Sequence, residues 1–175
     1  MQDELLDLVD QNDEVIGTVW KSEAHKDPSK IHREVAIGVF NNYREVLLQQ
    51  RSMNKSNDPG EWKITAAGHV TAGEKPENAA KREVFEELGL TISPIFFKKI
   101  FRKRTGQSVS PESRFFYIYY SLVNGRPQMK LDQKEVMGVV WIKPTRLEEF
   151  AKGHKWDVKS LSHKTIIDVS RHIDL

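Results

Sequence analysis

Three glutamates, Glu83, Glu86 and Glu87, fall within five consecutive positions of a segment with helical character. At about 100° per residue their side chains occupy roughly a 100° arc of one helix face. Like charges at these spacings repel by roughly 0.2–0.5 kcal/mol per pair on an exposed helix. A divalent cation turns that repulsion into coordination. Carboxylate oxygens suit Mg²⁺ or Mn²⁺, and Mg²⁺ is typically shared between a few carboxylates and substrate phosphates. Ala80, Val84 and Leu88 recur at i,i+4 beside the acidic arc, so the helix can pack on a core while presenting its carboxylates. Pro76 is placed as a first-turn proline and Gly89 as a glycine just past the helix end. Gly68 and Gly73 bracket the approach to the helix, where backbone can come close to a ligand. Arg82 keeps its charge and offers a planar fork to a carboxylate or phosphate.

The elements that must hold this helix can be read from patterning. Leu5–Val9 and Val15–Trp20 flank a polar turn at residues 10–14 and predict an opening hairpin at about 5–20. Strands are expected at 33–40, 46–50 and 62–67, with Asn57-Asp58-Pro59-Gly60 marking a loop in the polar stretch 51–61. Further strands are expected at 95–102 and 115–123, separated by a loop rich in Ser, Gly and Pro, with Asn124-Gly125 as a tight turn. Val136–Ile142 is another strand, followed by a short helix from 147 to 151 and a C-terminal helix over 160–173. Strands dominate, with one helix in the middle and helices at the end.

Composition bounds the rest. A chain of 175 residues is most simply one domain, 1–175, large enough for a core. It has no cysteine, which excludes a disulfide framework and a thiol nucleophile. A net charge of +2 gives no argument for nucleic acid as a partner. The acidic start lacks a signal-peptide pattern and no apolar run approaches the roughly 20 residues of a membrane helix. The expectation is a cytoplasmic protein with no membrane partner. Its oligomeric state, monomer or homodimer, is left open.

Gly68, Glu74, Arg82-Glu83, Val84, Glu86-Glu87, Gly89 and Leu90 together resemble a complete Nudix box spanning 68–90. The resemblance implies an α/β/α sandwich around a mixed sheet and a metal-dependent enzyme acting on a diphosphate. Outside the box the chain resembles isopentenyl-diphosphate isomerase, from the hairpin to about Trp141. The matching residues are Lys21, His25, His32, Arg51, Lys55, Pro59-Gly60-Glu61-Trp62, Gly68-His69-Val70, Gly73-Glu74 and Glu135-Val136 with Trp141. This likeness implies that Lys21, Arg51 and Lys55 grip a diphosphate and that His25, His32 and His69 hold a divalent metal. The spacing of the three histidines is not a metal motif in itself.

The departures from the isomerase are informative. Its catalytic cysteine precedes the glycine-histidine step, where this chain has Ala66-Ala67. Its paired glutamates become Glu112-Ser113-Arg114, a carboxylate replaced by a cation. Allylic isomerisation needs a proton donor and an acceptor on opposite faces of the substrate. The isomerase's own box is degenerate, whereas this one is intact. The expected enzyme is therefore a Mg²⁺- or Mn²⁺-dependent pyrophosphohydrolase acting on a nucleoside diphosphate derivative or related diphosphate. Glu83, Glu86, Glu87 and the Gly68 carbonyl would bind metal, with Arg82 orienting a carboxylate. A box glutamate or Glu112 would act as base, with Glu135, at the turn into its strand, a second carboxylate outside the box. The rivals are isomerase-like activity and a non-catalytic nucleotide-sensing module. Phe96, Phe97, Phe101, Phe115, Phe116 and Tyr117 could stack on a base, although alternating strand aromatics usually serve a core.

Overall fold

In the computed structural model, residues 3–55, 57–104, 112–156 and 160–174 are described. The strand β3 (His32–Asn41) is apolar on both faces, which places it in the middle of a layered structure. Val35, Ile37 and Val39 face one core and Phe40 the other. β3 runs parallel to β8 (Glu112–Val123) in register from His32↔Arg114 to Asn41↔Val123. β8 in turn pairs antiparallel with β7 (Ile95–Arg104). On its other side β3 meets β4 (Val46–Arg51) only at Phe40↔Val46. β4 continues into β5 (Trp62–Ile64) and β9 (Val136–Ile142).

The position that β4 leaves is taken by β6 (Ala66–His69), antiparallel to β3 over Glu34–Ile37. A strand is expected over 62–67, and it divides at Thr65. The Thr65 hydroxyl accepts from the Val39 N–H at 2.8 Å and donates to the Leu47 carbonyl at 2.6 Å. It thus satisfies backbone groups of two strands that have parted and cannot pair with each other. A cleft opens where they part.

Helix α2 (Pro76–Leu88) covers one face of the sheet, with Ala79, Ala80, Val84 and Leu88 buried against Val35, Ile37, Val39 and Leu47. Proline opens its first turn, and Gly89 closes it at φ 67°, its N–H reaching the Phe85 carbonyl at 2.8 Å. Leu147, Trp156, Ile166 and Val169, from α3 (Leu147–Gly153), α4 (Leu161–His172) and the segment between, cover the other face. The result is the α/β/α sandwich around a mixed sheet that the resemblance implies. Strands and terminal helices differ from expectation by a few residues at their ends, and part of the expected Ser/Gly/Pro-rich loop, 105–111, lies outside the described residues.

The hairpin of β1 (Leu5–Val9) and β2 (Val15–Trp20) is a separate two-stranded sheet, a unit with little stability of its own. Its turn residue Asp13 is buried and accepts from Arg33 Nε at 2.7 Å, from Lys99 Nζ at 2.7 Å and from the Tyr117 hydroxyl. The hairpin leads into a four-residue helix, α1 (Lys21–Ala24), that patterning did not predict. Among the described residues no helix is long and apolar enough to cross a membrane.

Candidate active site

The cleft has a volume of about 1600 Å³ and gathers side chains from every part of the sheet edge. Glu83, Glu86 and Glu87 of α2 all line it, but they differ in environment. Glu87 is buried and accepts from Gln49 Nε2 on β4 at 3.0 Å. Burial, then the neighbouring Glu83 charge, holds its carboxyl well above the usual range. Glu83 is largely buried, and desolvation pushes its pKa up to about 7 against the opposing pull of Arg82. Glu86 is more than half exposed, at 57%. The three carboxylates share a cleft wall, yet only two of them carry the cost of burial. Burial favours the neutral form of both carboxyls.

Arg82 is the hub of this wall. Its guanidinium forks onto both oxygens of Glu74, at 3.0 and 2.9 Å, and reaches Glu83 at 2.6 Å and Glu86 at 3.2 Å. It also donates to the His69 carbonyl at 2.9 Å, tying α2 to β6. The hydrogen bonds to Glu74 and the charge of Glu83 raise its already high pKa. Gly68 is not at a loop boundary as expected but within β6, opposite Val35. A Cβ there would lie 2.0 Å from the Glu83 Cδ, so this glycine leaves the space that the carboxylate fills.

Lys21, Arg51 and Lys55 line the same cleft. Lys21 donates to Glu4 at 2.8 Å, Arg51 Nε to the Asn57 carbonyl at 3.1 Å, and Lys55 to Glu135 at 2.5 Å. Glu135, expected at the turn into its strand, is thus also a cleft residue. The three expected phosphate-binding cations thus line the same cavity as the acidic helix.

The histidines, separated by 7 and 37 positions, meet. One imidazole nitrogen from each of His25, His32 and His69 lies within 4.8 Å of the others, and His25 Nε2 is 2.9 Å from His69 Nε2. Burial lowers all three pKa values, that of His32 to about 4, so the rings are neutral donors at physiological pH. His32 Nε2 is buried with no hydrogen-bond partner. Both donor sets fit divalent cations, one of carboxylates and one of imidazoles. Glu112 stands with the histidines and not with α2. It is buried, 3.6 Å from His25 Nε2, and paired with Arg114, which also binds Glu34.

The family model of the NUDIX domain matches residues 30–163. The chain belongs to the Nudix family. Members of this family generally use divalent metals. Among curated proteins the chain is 34% identical, over 95% of its own length and 83% of the relative's, to isopentenyl-diphosphate Delta-isomerase of Streptomyces coelicolor. It is 31% identical to isopentenyl-diphosphate Delta-isomerase 2 of Photorhabdus laumondii, over 99% of this chain and 96% of that one. Among solved structures the DR0079 protein of Deinococcus radiodurans aligns with TM-score 0.74 at 23% identity, covering 94% of this chain and 98% of the other. The Nudix domain of Shewanella oneidensis NrtR, solved with ADP ribose, aligns with TM-score 0.60 at 15% identity, over 82% and 88% of the two chains.

Within this Nudix site the sequence reading missed Gln49, Glu34 and Glu4. Gln49 follows the apolar run Val46–Leu48 of β4 and shares its burial, but Gln50 and Arg51 beside it left no signal in the sequence. Nothing local marks the other two, which act only through partners brought in by folding. The expected stacking aromatics divide: Phe115 and Phe116 are buried, Phe96 and Phe101 lie exposed on β7, and Phe116 alone lines the cleft.

Proposed function

We propose that the chain is a Mg²⁺- or Mn²⁺-dependent pyrophosphohydrolase acting in the cytoplasm on a nucleoside diphosphate derivative or related small diphosphate. The observation that supports it best is the meeting in one cleft of two carboxylates withdrawn from solvent, the buried Glu87 and the largely buried Glu83, with Lys21, Arg51 and Lys55. Glu83, Glu86 and Glu87 would hold the cation, with the Gly68 backbone beside them. When bound, it supplies charge neutralisation at the phosphates and acidity to a coordinated water. Arg82 keeps Glu83 and Glu86 in place through a guanidinium itself fixed by Glu74. The three cations opposite receive phosphate oxygens through charge-assisted hydrogen bonds. Water adds to one phosphorus as the bond from that phosphorus to the bridging oxygen breaks. Glu86, the carboxylate most open to solvent, is suited to take the water's proton.

The test is metal-dependent release of phosphorylated product from a panel of nucleotide diphosphate derivatives and simple diphosphate esters. Glu87→Gln and Glu83→Gln are expected to cut turnover by several orders of magnitude in a folded protein; near-normal hydrolysis by both refutes the assignment. A second reading, isomerisation of isopentenyl diphosphate, is favoured by the meeting of three histidines and by the names of the relatives. Against it stand Ala67 at the cleft and Arg114 beside Glu112. Deuterium uptake by isopentenyl diphosphate from heavy water would revive it.

A further inference from the structure

The cleft is larger than a diphosphate alone requires. Ligand pockets commonly measure about 300–1000 Å³, and this one has about 1600 Å³. Its lining extends to β7, the edge strand of the sheet, through Arg102 and Lys103. We infer that these two cations form a second anion site, and that the substrate is a nucleoside diphosphate derivative carrying a further phosphate on its ribose. The inference rests on the hydrolase reading for the place of the diphosphate beside α2.

Lack of partners sets the two residues apart from the other cations of the cleft. Lys63 is held by Asp58 at 2.8 Å and Lys155 by the Pro59 carbonyl at 2.9 Å. Lys21, Arg51, Lys55, Arg82 and Arg114 are engaged as described above. Arg102 and Lys103 are exposed and have no hydrogen bond or ion pair among the described residues. Arg102 also stands directly opposite Arg114 in the register of β7 and β8. Like charges opposed across two strands repel. Glu34 and Glu112 offset the charge of Arg114, and an anion in the cleft would offset that of Arg102.

Topology separates this charge from the acidic helix. Strands β6, β3, β8 and β7 lie side by side in that order. At about 4.8 Å per strand, β7 is roughly 14 Å from β6. Glu83 fills the space over Gly68 of β6, so the α2 carboxylates mark one end of the span and Arg102 the other. A diphosphate held beside α2 leaves the rest of the span for a nucleoside. Ala36 of β3 and Phe116 of β8, on the intervening strands, line the cleft and offer apolar surface to its uncharged part.

Charge selects the anion. A phosphate monoester carries about −1.5 to −2 at neutral pH, which matches two unpaired cations better than the single charge of a carboxylate. The planar fork of Arg102 can take two phosphate oxygens and Lys103 a third.

The test uses α,β-methylene nucleoside 5′-diphosphates of the four common bases, which cannot be hydrolysed at the bridge. Each is prepared with and without a phosphate at the ribose 2′ or 3′ position and titrated by calorimetry into the full chain with Mg²⁺. For at least one base the added phosphate should tighten binding roughly tenfold or more, as a charged hydrogen-bonding group does. In the double variant Arg102→Gln, Lys103→Gln that advantage should vanish. If the double variant does not fold, Arg102→Gln alone serves, with a partial loss expected. No binding of any ribose-phosphorylated probe, no advantage from the added phosphate, or an advantage undiminished in the variant each overturns the inference. Failure of the hydrolase reading would appear as absent turnover of the unmodified diphosphates with this binding difference intact, so the two are separable.

Discussion

Replacing Gly68 with alanine isolates the role of one contact. The glycine does not need positive φ, so alanine fits the β6 backbone without strain. Its Cβ, however, would stand 2.0 Å from the Glu83 Cδ and 2.2 and 2.3 Å from the two oxygens. Ordinary contact begins near 3.4 Å, so the carboxylate must retreat by about 1.4 Å. A displacement of about 1 Å in a reacting group costs roughly 10²-fold in rate. Stability should change little, because what moves is the far end of a flexible side chain whose burial already pushes its pKa up to about 7. Released toward solvent, Glu83 should titrate closer to an ordinary glutamate. The assays are kcat against Mg²⁺ concentration on the best substrate of the panel, and thermal melting. The expected result is a roughly hundredfold loss of turnover, a higher metal requirement and an unchanged melting temperature. Wild-type turnover with unchanged metal dependence would show that Glu83 is not held by this contact.

Two further outcomes follow from the same wall. Glu83 has a folded pKa of about 7, above its ordinary 4.5, so the native state binds the extra proton between those values. The Glu83 contribution to the stability of the metal-free protein is therefore fully present near pH 4.5 and is lost as pH rises through 7, by about 3 kcal/mol at most, while the three buried histidines contribute in the opposite sense over the same range. Denaturant melts with chelator at pH 5 and 7.5, on the wild type and on Glu83→Gln, isolate it: the wild type should lose more stability, or gain less, than the variant between the two pH values, and identical changes in both refute it. Arg82→Lys keeps the charge but loses the fork onto Glu74 and the reach to Glu83, Glu86 and the His69 carbonyl. It should cost roughly 2 kcal/mol, or about 4–8 °C in melting temperature, together with a large fall in kcat; an unchanged melt would mean the hub is not structural.

What was legible in the sequence was local. Pro76, the i,i+4 apolar positions and Gly89 determine the thirteen-residue α2 from within and from its two ends, and the structure places the helix there. Lys21, Arg51, Lys55 and the acidic residues reach one cleft, as the resemblance implied. The illegible parts depend on residues far apart in the chain. No spacing rule connects His25, His32 and His69, because they meet only when β3 and β6 pair at Glu34↔His69. The division of the strand at Thr65 depends on β3 and β4 parting, which neither strand's pattern records. Arg114 reads as a lost carboxylate until Glu34 and Glu112 are seen on either side of it.

The base of the cleft bears on the choice between hydrolysis and isomerisation. Ala36 on β3 is paired directly with Ala67 on β6, and both line the cavity that also holds the α2 carboxylates, His25 and His69. Neither can give or take a proton. Moving a double bond along a carbon skeleton needs a donor on one face and an acceptor on the other, and this floor supplies neither. Hydrolysis asks nothing of the floor. In the proposed reaction the water, the phosphate contacts and the charge neutralisation would come from Glu83, Glu86, Glu87, Lys21, Arg51 and Lys55, which line the same cavity. Placing a cysteine at Ala67 would restore a proton donor to the floor but not the second carboxylate at Arg114. An Ala67→Cys protein should therefore still fail to exchange deuterium into isopentenyl diphosphate. If that single change brought exchange, the inert floor alone would separate the two activities, and Arg114 would have no part in it.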